Sequence, residues 1–230
     1  MKETVVIACD VLKEQLEALD FKKYDYIYLD QLLHRYPDEL RKKLQEAVDS
    51  CNEYREILFA YGLCSTGVVG IKTGKNQQLI IPRTHDCIAL SLGSHNHYVK
   101  LFKELPGTYY FTPNWALTAK DPYKEYLDLV DNKKYDEETA KWAVQQMMVN
   151  YSKAGYIDTG VDQNLSEGME YVKKFSEFFS LDIIEIKGSL DYLNKLLSKD
   201  WDQENFVIVP PDTEVKQSMF ETIGFYVGSR

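Results

Sequence analysis

Hydrophobic positions come along this chain in two alternating rhythms. Short apolar runs at Thr4–Ala8, Tyr24–Leu29, Ile57–Tyr61, Leu79–Pro82, Thr108–Thr112, Leu181–Ile186 and Phe206–Val209 read as strands. Gly155–Gly160 reads as a further strand and turn. The central runs are apolar without alternation, as strands covered on both faces are. Between the runs, apolar residues return at helical spacing. Leu12, Leu16 and Leu19 follow Asp10, a candidate N-cap. Leu40, Leu44, Ala47 and Val48 follow Pro37, with acids before bases in the first turns. Further helices are predicted at Glu137–Tyr151, from a Ser166 cap through Phe179, and at Ser189–Leu197, with short ones at 88–93 and 98–102. Residues 116–134 read as irregular and polar, with a turn at Asp121-Pro122.

Strands alternating with helices predict an α/β fold, with a mainly parallel sheet flanked by helices in a Rossmann-like arrangement. One domain over residues 1–230 is expected, or two lobes, 1–134 and 150–230, joined by the helix around Glu137.

Composition narrows the function classes. Hydrophobic residues at 44% and charged residues at 27% are ordinary for a globular chain. A net charge of −9 lacks the clustered cations that neutralise phosphates, so nucleic acid is not an expected partner. No apolar run approaches the roughly 20 residues of a membrane span. Met1-Lys2-Glu3-Thr4 leads straight into a strand, without the apolar region of a signal peptide, so the cytoplasm is the expected compartment. In that compartment the four cysteines are expected as thiols or metal ligands.

Three of them share a position. Cys9, Cys64 and Cys87 each follow a strand-like run, at the carboxyl end where open parallel sheets place their ligands. Neighbouring strands lie about 4.8 Å apart, so three such ends can bring three sulfurs to one guest. Zinc takes Cys and His tetrahedrally, and three thiolates with an open position suit an iron–sulfur cluster. His85, in His85-x-Cys87, is the candidate non-thiol ligand or, equally, a hydrogen-bonding residue that orients the turn. An open zinc–thiolate site could also activate a substrate thiol for methyl transfer. Cys51 sits on the stripe of the helix after Pro37 and is expected to pack as a small hydrophobe. His95 and His97 are expected in solvent, on a loop, and His34 at the surface.

Around the thiols, Tyr61 and Gly62 open a turn whose N–H groups could face an anion, and Arg83 could clamp one. Trp115 could wall a pocket. The turn is neither a phosphate-binding P-loop nor a dinucleotide fingerprint, and Ser65 lacks the glycine that a hydrolase elbow needs before it. No catalytic residue is assigned.

Ile7-Ala8-Cys9, Tyr61-Gly62-Leu63-Cys64, Pro82-Arg83-x-His85-Asp86-Cys87-Ile88, Leu92-Gly93-Ser94, the segment from Pro106 to Trp115, and Gly155 to Gly160 together resemble the prokaryotic family called domain of unknown function 1638. The resemblance implies a setting in corrinoid-dependent methyl transfer, with a corrinoid reached through a partner protein. The expected function is therefore metal or cluster binding by the strand-end cysteines in one-carbon metabolism. The alternatives are a zinc-thiolate methyltransferase and a non-enzymatic module for a corrinoid or other small ligand. Expected partners are a small molecule or a corrinoid protein, with self-association left open.

Overall fold

The computed structural model describes residues 2–223. Its strands are β1 (Lys2–Cys9), β2 (Asp25–Leu29), β3 (Tyr54–Ala60), β4 (Gln78–Pro82), β5 (Thr108–Phe111), β6 (Lys153–Asp158), β7 (Asp182–Lys187) and β8 (Phe206–Val209). The α-helices are α1 (Lys13–Ala18), α2 (Pro37–Ser50), α3 (Ile88–Ser91), α4 (His95–Glu104), α5 (Pro113–Thr118), α6 (Pro122–Asp131), α7 (Glu137–Met147), α8 (Leu165–Phe179) and α9 (Asp191–Ser198). This is the α/β, Rossmann-like alternation that the apolar rhythm implied. Among the described residues, no helix is long and apolar enough to cross a membrane.

The chain forms two compact units. One takes the segments up to His97 and from Ser189 onward; the other is Tyr98–Gly188. This differs from lobes 1–134 and 150–230. The second unit is an insertion, because β8 returns to close the first sheet by pairing antiparallel with β4, Ile80 opposite Ile208. The helix expected to cross between lobes, α7, lies wholly inside the insertion.

In the first unit a five-stranded sheet runs β2-β1-β3-β4-β8, with its first four strands parallel. Val5 to Ala8, Ile57 to Ala60 and Leu79 to Ile81 are fully buried, as the unbroken apolar runs require. Asp10 does not cap a helix. It opens a short 3-10 turn, and its carboxylate accepts from Gln31 N at 3.0 Å. In the second unit a parallel sheet β5-β6-β7 packs its own core of Phe111, Ala154, Tyr156, Val172 and Phe175. The stretch read as irregular, 116–134, holds the end of α5 and all of α6. Each starts at a capping side chain followed by proline: Thr112 accepts from Trp115 N, and Asp121 from Tyr123 N and Lys124 N. Proline at a helix start looks like a breaker in sequence and is a nucleator here. Ser166 lies inside α8 rather than capping it; Asn164 holds the cap position.

Phe175 is fully buried and meets Phe111 edge to face at 4.9 Å. Phe175→Ala should destabilise the protein by about 3–5 kcal/mol in denaturant titration. A loss below about 1 kcal/mol would show that this cluster does not carry the second core.

Candidate metal or ligand site at the carboxyl edge

β1, β3 and β4 are neighbours and parallel, so Cys9, Cys64 and Cys87 emerge at one edge of the sheet. The strand order reverses its direction of growth between β1 and β3, the switch point where open α/β sheets bind ligands. Cys9 ends β1 and Cys64 follows β3, so these two thiols flank that crevice.

The loops carrying Cys64 and Cys87 are bound to each other through their backbones. Leu63 N donates to Thr84 O and Cys64 N to His85 O, both at 2.8 Å. This approach requires glycine at 62, where a Cβ would lie 2.7 Å from Asp86 N and 2.9 Å from its Cα. The chain then turns through three successive left-handed residues, Cys64, Ser65 and Thr66, with φ of 45°, 53° and 72°. Left-handed backbone costs an L-residue roughly 1–2 kcal/mol. The flanking bonds, including Gly67 N to Cys64 O at 2.9 Å, hold the turn there.

Cys9 and Cys64 are buried, at 5% and 8% exposure. Burial raises both thiols above their ordinary range, Cys64 to about 12. Cys87 is half-buried as a residue, yet burial followed by the proximity of Cys9 and Cys64 raises its thiol too. Backbone amides oppose this effect. The amides of Gly62 and Cys87 favour a thiolate at Cys64, and the amide of Val11 does so at Cys9. The Cys9 thiol also reaches Asp10 Oδ1 at 4.0 Å. Among the described residues, no group of three or more His, Cys, Asp or Glu is arranged to hold a metal ion. The thiols share an edge without being gathered around a point.

Tyr61, the residue after β3, is 3% exposed. Its hydroxyl has no hydrogen-bond partner among the described residues. Burial raises its pKa first, and then the proximity of Cys9, Cys64, Cys87 and Asp10.

A family model described as "Protein of unknown function (DUF1638)" matches residues 28–197. The chain belongs to the DUF1638 family. The matched span includes Tyr61, Cys64, His85, Cys87 and Trp115 and begins after Cys9. Neither the curated proteins nor the solved structures contain a match to it.

In this DUF1638 chain the other candidate residues separate. His85 is half-buried beside the Cys64 loop, and burial lowers its pKa. His95 corrects the solvent expectation. It is 8% exposed in the first turn of α4, its Nδ1 is 3.0 Å from the fully buried Thr84 hydroxyl, and its ring centroid is 6.0 Å from that of His85. The missed signal was helical spacing, since His95 and the buried Tyr98 lie one turn apart. His97 is half-buried, with Nδ1 3.1 Å from Leu92 O. Arg83 donates to the carbonyls of Phe206 and Met219, tying β4 to the closing segment. Trp115 belongs to the second unit, where it packs against the Phe111 cluster. Cys51 is 2% exposed at the end of α2, packing as a small hydrophobe does, and His34 is exposed.

Gly62→Ala should force the Asp86 backbone away, cost about 1–3 kcal/mol and speed alkylation of Cys64 by iodoacetamide. An unchanged melting temperature with unchanged labelling would contradict the close-approach account.

Proposed function

We propose that this DUF1638 protein binds a metal centre through Cys9, Cys64 and Cys87 in the cytoplasm, with an iron–sulfur cluster as the favoured occupant. The observation that carries this reading is the arrival of three thiols at the ends of three adjacent parallel strands, around the switch point of the sheet. All four cysteines are free, which suits a reducing compartment.

The donor set fits such a guest in type and in burial. Cysteine thiolates are the usual ligands of these clusters, and amides pointing at the Cys64 and Cys9 sulfurs favour their charged form. A single tetrahedral zinc, with bonds near 2.3 Å, needs its sulfurs about 3.8 Å apart. Among the described residues no three such side chains are grouped for an ion, so Cys9, Cys64 and Cys87 would have to converge on the centre as it binds. When bound, a cluster held by three cysteines supplies electron transfer or an open iron. The chain's own residues bind it, exclude water through the buried edge, and fix the Cys64 and Cys87 loops against each other. His85, beside the Cys64 loop, is the nearest candidate for a further ligand. The corrinoid-linked methyl-transfer setting is supported by the sequence resemblance, with a corrinoid protein or small molecule as partner.

Burial of the thiols favours a second reading. If they stay protonated and packed, the same crevice serves as a non-enzymatic site for a small ligand.

Metal analysis and a visible spectrum of anaerobically purified protein separate these readings. Iron and sulfide should be present in stoichiometric amounts, and Cys9→Ser, Cys64→Ser and Cys87→Ser should each cut them severalfold. Cys51→Ser should leave them intact. Stoichiometric zinc without iron would support the methyltransferase alternative. Protein that takes up neither metal after reconstitution, with Cys64→Ser unchanged in ligand binding, would overturn the thiol-centred proposal.

A further inference from the structure

β7 is the longest of the edge strands, with six residues against five in β2 and four each in β5 and β8. Among the described residues it pairs with β6 alone, in a register unbroken from Asp182 opposite Lys153 to Lys187 opposite Asp158. Asp182 N donates to Ser152 O at 3.0 Å and Gly188 N to Asp158 O at 2.7 Å. The even-numbered residues therefore turn their backbone groups toward β6, and Ile183, Glu185 and Lys187 turn theirs away from it. A row of outward N–H and C=O groups is a template for one more strand. Asp182–Lys187 has no proline, glycine or bulge to spoil that edge, and it carries isoleucine at 183, 184 and 186. Ile183 is 38% exposed, and Glu185 and Lys187 are exposed beside it. These last two have opposite charges and share one face of the sheet, and neither has an ion-pair partner among the described residues.

We infer that β7 joins two copies of this chain, running antiparallel to its own copy, so that two three-stranded sheets become one continuous sheet. The occupant is a second copy because the charges of the strand are complementary to themselves. A two-fold axis normal to the sheet keeps each face on its own side and sets outward residues against outward residues. With that axis at Ile186, Glu185 lies opposite the partner's Lys187 and Lys187 opposite the partner's Glu185, each pair exchanging both backbone bonds. Opposite charges directly across an antiparallel ladder stabilise it, and like charges there oppose it. An axis at Glu185 would set that carboxylate against its own copy, and one at Ile184 would leave both charges across from apolar residues. The charge pattern selects Ile186. So short a ladder makes a small interface of the transient, reversible class. If the same charges served only to keep the edge solvated, the chain would remain a monomer. The inference is independent of the reading of the thiols.

Sedimentation velocity of the full chain over a concentration series tests it. Wild type should pass reversibly from 26.7 kDa to twice that mass, with a dissociation constant on the order of tens of micromolar. Lys187→Glu sets carboxylate against carboxylate at both symmetry-related positions and should weaken the dimer about tenfold or more. Glu185→Lys combined with Lys187→Glu exchanges the charges and should return the constant to within about threefold of wild type. Amide hydrogen exchange reads the same edge without any substitution: the N–H groups of Glu185 and Lys187 should exchange more slowly as wild-type concentration rises. Wild type that stays monomeric at about 1 mM overturns the inference. So does a dimer indifferent to Lys187→Glu, a dimer that the charge exchange fails to restore, or exchange at Glu185 and Lys187 that does not depend on concentration.

Discussion

The site depends on the backbone-to-backbone contact between the turns after β3 and β4. Gly62 lies against Asp86 at a separation that no side chain could share, and the N–H groups of Leu63 and Cys64 reach the carbonyls of Thr84 and His85. Strands in a parallel sheet diverge into separate loops once their ladder ends. Here the ladder is in effect extended by these two bonds, so Cys64 and Cys87 travel together. Three successive left-handed residues then follow, a conformation that needs such anchoring.

The chemistry of the edge is set by a contest between burial and backbone polarity. Withdrawal from water favours neutral thiols at Cys9, Cys64 and Cys87; Cys9 and Cys64 further discourage ionisation of Cys87, and Cys64 that of Cys9. Amides directed at Cys64 and Cys9 work the other way. A cation arriving at the site would reverse the balance, because a thiol that coordinates a metal is deprotonated outright. Without a guest such an edge keeps its thiols neutral, which distinguishes it from a reactive-cysteine site, where a nearby cation depresses the thiol pKa in advance.

Much of this was legible in the residues. Apolar runs such as Ile57 to Ala60 and Leu79 to Ile81 announce strands covered on both faces, and the cysteines that follow them share the carboxyl edge of the sheet because parallel strands share a direction. Other features were not legible, for identifiable reasons. The Pro113 and Pro122 helix starts resemble breaks unless the capping Thr112 and Asp121 are weighed with them. The insertion of Tyr98–Gly188 has no flexible linker in the sequence to mark its ends, and the return of β8 to β4 reveals it. His95 was assigned to a loop because the helix start at that residue went unrecognised. The left-handed run at Cys64, Ser65 and Thr66 has no glycine to betray it. The carbonyl partners of Arg83, on Phe206 and Met219, could not be read because they are more than a hundred residues away in sequence.

The central claim is that three strand-end cysteines hold one centre. The most direct measurement is X-ray absorption fine structure at the metal edge of anaerobically loaded protein, comparing the wild-type chain with the Cys9→Ser variant. The account predicts a nearest-neighbour shell dominated by sulfur at about 2.3 Å, with weaker sulfur scattering once Cys9 is replaced. A shell of nitrogen and oxygen alone, or one that is indifferent to Cys9, would contradict it.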